Sequence, residues 1–127
     1  MPLVAALAAL VAAAFHVLFF VLESVTFSQP SVAARFGLST PDQIAAVRPM
    51  AFNQGFYNLF LALGIVAGLV IAATGRFEAG HAIVLFACAC MVGAGAVLLA
   101  TNRRFARSAA IQAGPPLVAI VAAIALR

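Results

Sequence analysis

Apolar residues run almost unbroken along four stretches of this chain. They extend from about Leu3 to Phe27, Met50 to Thr74, Gly80 to Thr101 and Ala109 to Leu126. A helix that crosses the hydrocarbon core of a bilayer needs roughly 20 consecutive apolar residues, and each stretch is of that order. The pattern predicts an all-α membrane protein. It is read as a four-helix transmembrane bundle, antiparallel and up-down, forming a single domain over residues 1–127. The first stretch is expected to be a retained helix. No basic residue precedes its apolar part, which is longer than the roughly 7–15-residue core of a secretory signal.

The connections are predicted from their turn and capping residues. Ser28–Pro49 is the long one. Within it Thr40 suits a helix N-cap, Pro41 the first helical position, and Gln43 completes a capping box. A short helix is expected to start there and lie at the interface, with Pro49 kinking or interrupting it. The second connection is a tight turn around Gly75, Arg76, Phe77 and Glu78, and the third is Asn102–Ser108. A fourth helix starting at Pro115 would span only about 20 Å, too short for a core of about 30 Å. It is therefore expected to start near Ser108, as N-cap, and to carry Pro115 and Pro116 inside it. Those prolines free the carbonyls of Ile111 and Gln112.

Composition agrees with the pattern. Hydrophobic residues make up 66% of the chain and charged residues 8%. Soluble domains carry about 25% charged residues, and disorder needs polar bulk, so both classes are excluded. The net charge is +4. All the basic residues are arginines, and they stand at the ends of the apolar runs. Nucleic acid is therefore not an expected partner. Their distribution predicts orientation instead. Arg35, Arg48, Arg103, Arg104 and Arg107 lie in the first and third connections, against Arg76 and Arg127 on the other side. Cytoplasmic loops are enriched in Lys and Arg, so these two connections are expected to be cytoplasmic and both termini outside. The absence of lysine and the abundance of alanine suggest a bacterial genome, and hence a bacterial inner (plasma) membrane. Cys88 and Cys90 point in nearly opposite directions on a helix. They cannot pair with each other and are read as small core residues.

Polar groups inside the spans are costly and usually face the bundle interior. His16 and Glu23 are seven apart, within about 20° of two full α-helical turns. Ala5, Ala9 and Ala12 continue that face as a small-residue stripe. On the second span, Asn53 and Tyr57, like Gln54 and Asn58, are i, i+4 pairs. Gly64 and Gly68 extend their face inward. Depth places Glu23 near the level of Asn53 and Gln54, and His16 nearer Asn58. Thr101 and Gln112 are expected in the same half of the membrane. These residues form the candidate ligand-binding pocket: His16, Glu23, Asn53, Gln54, Tyr57, Asn58, Thr101 and Gln112. His81 lies at the opposite side and is given no role. No phosphate loop, zinc signature or nucleophile elbow is present. No metal site and no cofactor are expected, and no motif names a reaction.

Taken together, His16 to Glu23, the stretch Asn53-Gln54-Gly55-Phe56-Tyr57-Asn58-Leu59-Phe60-Leu61-Ala62, then Ala100-Thr101, and Gln112 before Pro115-Pro116 resemble the bacterial family known as domain of unknown function 1304. The resemblance covers nearly the whole chain. It implies a small integral membrane protein with four helices and draws attention to the same polar residues, but implies no activity.

Three functions compete. The first is a pocket near the cytoplasmic side for a small amphiphilic or lipid-like molecule. His16 and Glu23 would handle protons there, and Asn53, Gln54, Tyr57 and Asn58 would orient the ligand. The second is a structural or accessory membrane subunit, and the third a small proton-coupled transporter using Glu23. The position of Glu23 near a helix end, and the lack of an inverted repeat, count against transport. The expected partners are membrane lipids and the amphiphile, with a homo-oligomer left open.

Overall fold

Capping and helix-breaking residues set the boundaries of a helical chain. The computed structural model describes residues 1–126, so Arg127, counted above for orientation, lies outside the described residues. Helix α1, Leu3–Phe20, continues into a π-helical turn, Val21–Val25. A short helix α2, Pro30–Ala33, and a 3-10 turn, Ala34–Phe36, come after it. They end at Gly37, whose φ of 80° suits a residue without a Cβ. Helices α3, Pro41–Ala73, and α4, Phe77–Thr101, come next. A 3-10 turn, Arg103–Phe105, then leads into α5, Ala106–Ala125. No strand is found among the described residues.

Four segments are long and apolar enough to cross a membrane: Leu3–Val25, Pro41–Ala73, Phe77–Thr101 and Arg103–Ala125. The protein is a multi-pass membrane protein.

The capping box forms as the sequence predicts. The Gln43 backbone N–H donates to Thr40 Oγ1 at 3.3 Å, and the Thr40 N–H donates to Gln43 Oε1 at 3.3 Å. The Ser39 N–H also reaches Gln43 Oε1, at 2.9 Å. Beyond the capping box the helix departs from expectation. No separate helix ends at Pro49; α3 runs through it for 33 residues. Pro49 removes the N–H that would meet the Ala45 carbonyl. Ala45 is exposed, so that carbonyl has access to other donors and the helix continues. The short helix of this connection is α2, upstream, opened by Pro30 at its first turn. Ser108 is not the N-cap of the last helix either. Asn102 breaks the chain in an extended conformation, and its Oδ1 accepts the Arg104 N–H at 3.1 Å. Helix α5 thus begins two residues before Ser108, with both prolines inside it. The tight turn is at Gly75, with φ of 93°. Glu78 falls in the first turn of α4, where a helix end favours negative charge.

The chain divides into two compact units. One comprises Met1–Phe15 with the chain from Leu61 onward; the other is His16–Phe60. In the first, all four spans meet in one core. Helix α1 contributes Ala9, Ala12 and Ala13, and α3 contributes Ala62 and Ile65. Val84, Ala87, Cys88 and Met91 come from α4, and Ala119 from α5. This is an all-α four-helix bundle with an alanine-rich centre. Large apolar side chains such as Leu3, Leu7, Phe86, Val97 and Ile124 point outward. Lipid is as apolar as leucine, so helices in a membrane gain from close backbone approach, and small residues permit it. Gly68 and Gly80 show this directly. A methyl group on Gly68 would stand 2.7 Å from Val84 Cγ2 and 2.9 Å from the Gly80 carbonyl oxygen. One on Gly80 would overlap the backbone of Gly68 and Ala72. Gly95 brings α4 equally close to Ala113 of α5. Gly64, predicted to share the inward stripe, is looser, at 3.9 Å from Ala87 Cβ. Cys88 lies in the core and both cysteines are free.

Candidate functional site

The second unit, His16–Phe60, carries the polar cluster. His16 continues the buried line of Ala5, Ala9 and Ala12 and is 0% exposed. Its ring meets Phe19 edge-on at 5.3 Å. Beyond Phe20 the helix widens. The Thr26 N–H donates to the Val21 carbonyl at 2.9 Å, closing an i to i+5 turn, and Thr26 Oγ1 donates to the same oxygen at 3.2 Å. A π-turn holds one residue more per ring than an α-turn. Side chains within and beyond it are turned back by up to one residue's share, about 100°. Glu23 sits in the middle of this turn, so it leaves the line that regular α-helical spacing assigns to it.

The half-buried Glu23 meets Asn58. The Asn58 Nδ2 donates to Glu23 Oε2 at 2.8 Å across 35 residues of sequence. Asn58 is only 6% exposed. Next to this pair, Ser24 Oγ donates to the Phe52 carbonyl at 2.7 Å. Gly55 lies directly against Ser24; a methyl group there would overlap the Ser24 hydroxyl. Glycine at 55 therefore lets the π-turn and α3 approach closely enough for both hydrogen bonds. Phe56 flanks them, edge-on to Phe20 at 5.1 Å and in contact with Phe52 at 5.1 Å.

The inward stripe of α3 in this unit is narrow: Ala51, Gly55 and Asn58 are buried. Asn53, Gln54 and Tyr57 are exposed. Asn53 and Tyr57 stand about 140° and 100° from Asn58 around the helix, so a single contact line cannot include them. The partner of Glu23 is thus Asn58, not Asn53 or Gln54, whose level was expected to match it. Thr101 and Gln112 belong to the first unit. The Thr101 hydroxyl donates to Val97 O, 2.8 Å away in its own helix. Gln112 is half-buried on α5. His81, given no role from the sequence, lines a cavity of about 350 Å³ with Met1, Pro2, Leu85, Ala123 and Leu126. Its buried Nε2 has no hydrogen-bond partner among the described residues.

Chemically, the pair offers a carboxyl group fixed through one oxygen. Its Oε1 and the Asn58 Oδ1 remain available to a hydrogen-bond donor. Sequence reasoning missed Ser24, Gly55 and the π-turn. Gly55 was legible, since small residues at 51, 55 and 62 trace the same kind of stripe as Ala5, Ala9 and Ala12. The π-turn was not: Val21–Val25 contains no glycine or proline to announce it.

The family described as "Protein of unknown function (DUF1304)" matches residues 10–124. The chain belongs to this family. No curated protein and no solved structure matches it. The DUF1304 match takes in the whole π-turn, both partners of the Glu23–Asn58 bond and the arginine-bearing connections. The DUF1304 description names no reaction, so function has to be argued from the site itself.

Proposed function

We propose that this DUF1304 protein binds a small amphiphilic, lipid-like molecule through the Glu23–Asn58 pair, with His16 as a second proton-handling group of the same unit. The observation that carries this reading is the 2.8 Å bond between Asn58 and a carboxyl group held in a π-turn of an apolar span. A carboxyl group inside a membrane helix is rare and costly, though toward a helix end, where Glu23 stands, the cost falls below the roughly 2.5–3.5 kcal/mol of the helix centre. One interhelical hydrogen bond contributes about 0.6 kcal/mol on average, and about 1.7 at most. Two amides could join the helices without that cost, so helix pairing alone does not account for an acid here. π-turns are also frequent at functional sites. The ligand would present a hydrogen-bond donor, an amine or hydroxyl, to Oε1 of Glu23, with its apolar part along the span.

In the same proposal the protein resides in a bacterial plasma membrane. The segment from Ser28 to Pro49, whose last part forms the start of α3, and the Asn102–Ser108 connection face the cytoplasm, and the termini face outside. The arginine bias and the lysine-free composition support this placement.

Native mass spectrometry from lipid nanodiscs tests the binding. The wild type should carry a reproducible added mass that bulk lipid does not explain. Glu23→Gln should lose it while keeping its unfolding midpoint, because glutamine can still hydrogen-bond to Asn58. A wild type without added mass, or a Glu23→Gln that retains it, would reduce the pair to a structural link.

A further inference from the structure

A second feature of the molecule lies in the first unit, at the junction of α4 and α5. Arg103, Arg104 and Arg107 crowd this junction, and all three are exposed. The junction has a defined conformation. Asn102 is extended, its Oδ1 accepts the Arg104 N–H, and its carbonyl accepts the Phe105 N–H at 3.1 Å. The Arg104 guanidinium lies 6.0 Å from the Phe105 ring centre. Beside the junction runs an open groove of about 610 Å³, lined by Ala96, Leu99, Ala100, Arg103 and Ala106. Its wall along α4, formed by Ala96, Leu99 and Ala100, is apolar and exposed. A guanidinium stands where the apolar wall ends.

The charge of this patch has no counterpart in its own unit. Glu78 is the only acid there. It lies in the first turn of α4, roughly 35 Å along the helix from Arg103. A ligand that matches the patch must combine a phosphate-like anion with a hydrocarbon segment running back along the span. Nucleic acid and free phosphate have the first without the second. A fatty alcohol has the second without the first.

We infer that this groove is a binding site for an anionic glycerophospholipid. One acyl chain lies against Ala96, Leu99 and Ala100. The phosphate is held by Arg103, with Arg107 and Arg104 beside it. Guanidinium groups bind phosphate oxygens in a bidentate fork, and basic pockets between membrane helices select anionic head groups. The groove shares no residue with the Glu23–Asn58 pair, and the inference does not depend on that pair's ligand.

The test uses the full chain in nanodiscs that mix phosphatidylglycerol with phosphatidylcholine, read by native mass spectrometry of the retained lipid. Wild type should retain phosphatidylglycerol in preference to phosphatidylcholine. Arg103→Gln should reduce that preference roughly fivefold, the factor equivalent to about 1 kcal/mol per arginine near an anionic surface. Removing an arginine can also disturb insertion, so a second variant leaves the charge in place. Ala100→Phe fills the groove from an exposed position and should reduce retention as well. Arg76→Gln, at the other end of α4, should leave the preference unchanged. Equal retention of the two lipids by wild type would overturn the inference. So would a full preference in Ala100→Phe, an equal loss in Arg76→Gln, or displacement of the lipid by inorganic phosphate alone.

Discussion

Gly55 shows how one hydrogen atom in place of a methyl group governs a polar site. Its absent side chain leaves room for Ser24, and Ser24 bonds to the Phe52 carbonyl at 2.7 Å. Gly55→Ala should therefore destabilise the protein by about 1–3 kcal/mol, the usual range for forcing a methylene into a packed contact. Ser24→Ala, which only removes the hydrogen bond, should cost about 0.6 kcal/mol. Reversible unfolding in mixed micelles would rank the two, and the reverse order would show that the contact relaxes easily. The Glu23–Asn58 bond can be measured separately. A double-mutant cycle of Glu23→Ala and Asn58→Ala, each of which removes the bond, should give a coupling of about 0.6–1.7 kcal/mol. A coupling near zero would mean that the 2.8 Å contact contributes nothing net.

Among the elements, the glycines of the helix contacts divide into two classes. Gly68, Gly80 and Gly95 sit where an added methyl group would strike another helix. Replacing any of them with alanine should push helices apart and lower the unfolding midpoint. Gly93 and Gly114 have open space beside them. Alanine there should be neutral or should stabilise by up to about 1 kcal/mol, because alanine favours the helix. A thermal-shift series over these five variants would settle the division, and a uniform response would contradict it. The same elements show what the sequence made legible. Thr40, Pro41 and Gln43 disclose the start of α3 because capping is local chemistry. The continuation through Pro49 is not disclosed, because it depends on whether the freed Ala45 carbonyl is exposed. The start of α5 is not disclosed either: Asn102 caps the 3-10 turn that leads into α5, and the helix follows Phe105 with no side-chain cap, so Ser108 falls inside it.

For the whole molecule, the apolar pattern gave the number of spans, and the core confirmed how they meet. The candidate site was legible only in part. The sequence shows which polar residues are present, but a wide arc of them on α3 cannot all reach one partner. Just Asn58 meets the acid, and the turn that brings Glu23 to it carries no local signature. Orientation can be checked directly. In a Cys88→Ala, Cys90→Ala background, Ser39→Cys should react with a membrane-impermeant thiol reagent only after cells are opened. Gly75→Cys should react in intact cells. The opposite pattern would invert the proposed topology.

In genetic terms, the π-turn at Val21–Val25 is the surplus of a single codon. Removing Leu22 would let the hydrogen-bond ladder close as an ordinary α-helix, so the deletion that would normally break a helix would here regularise one. The carboxyl would then swing away from its amide. Such a variant should insert and remain helical yet lose the Glu23–Asn58 coupling, separating the residue inventory of the site from the register that assembles it.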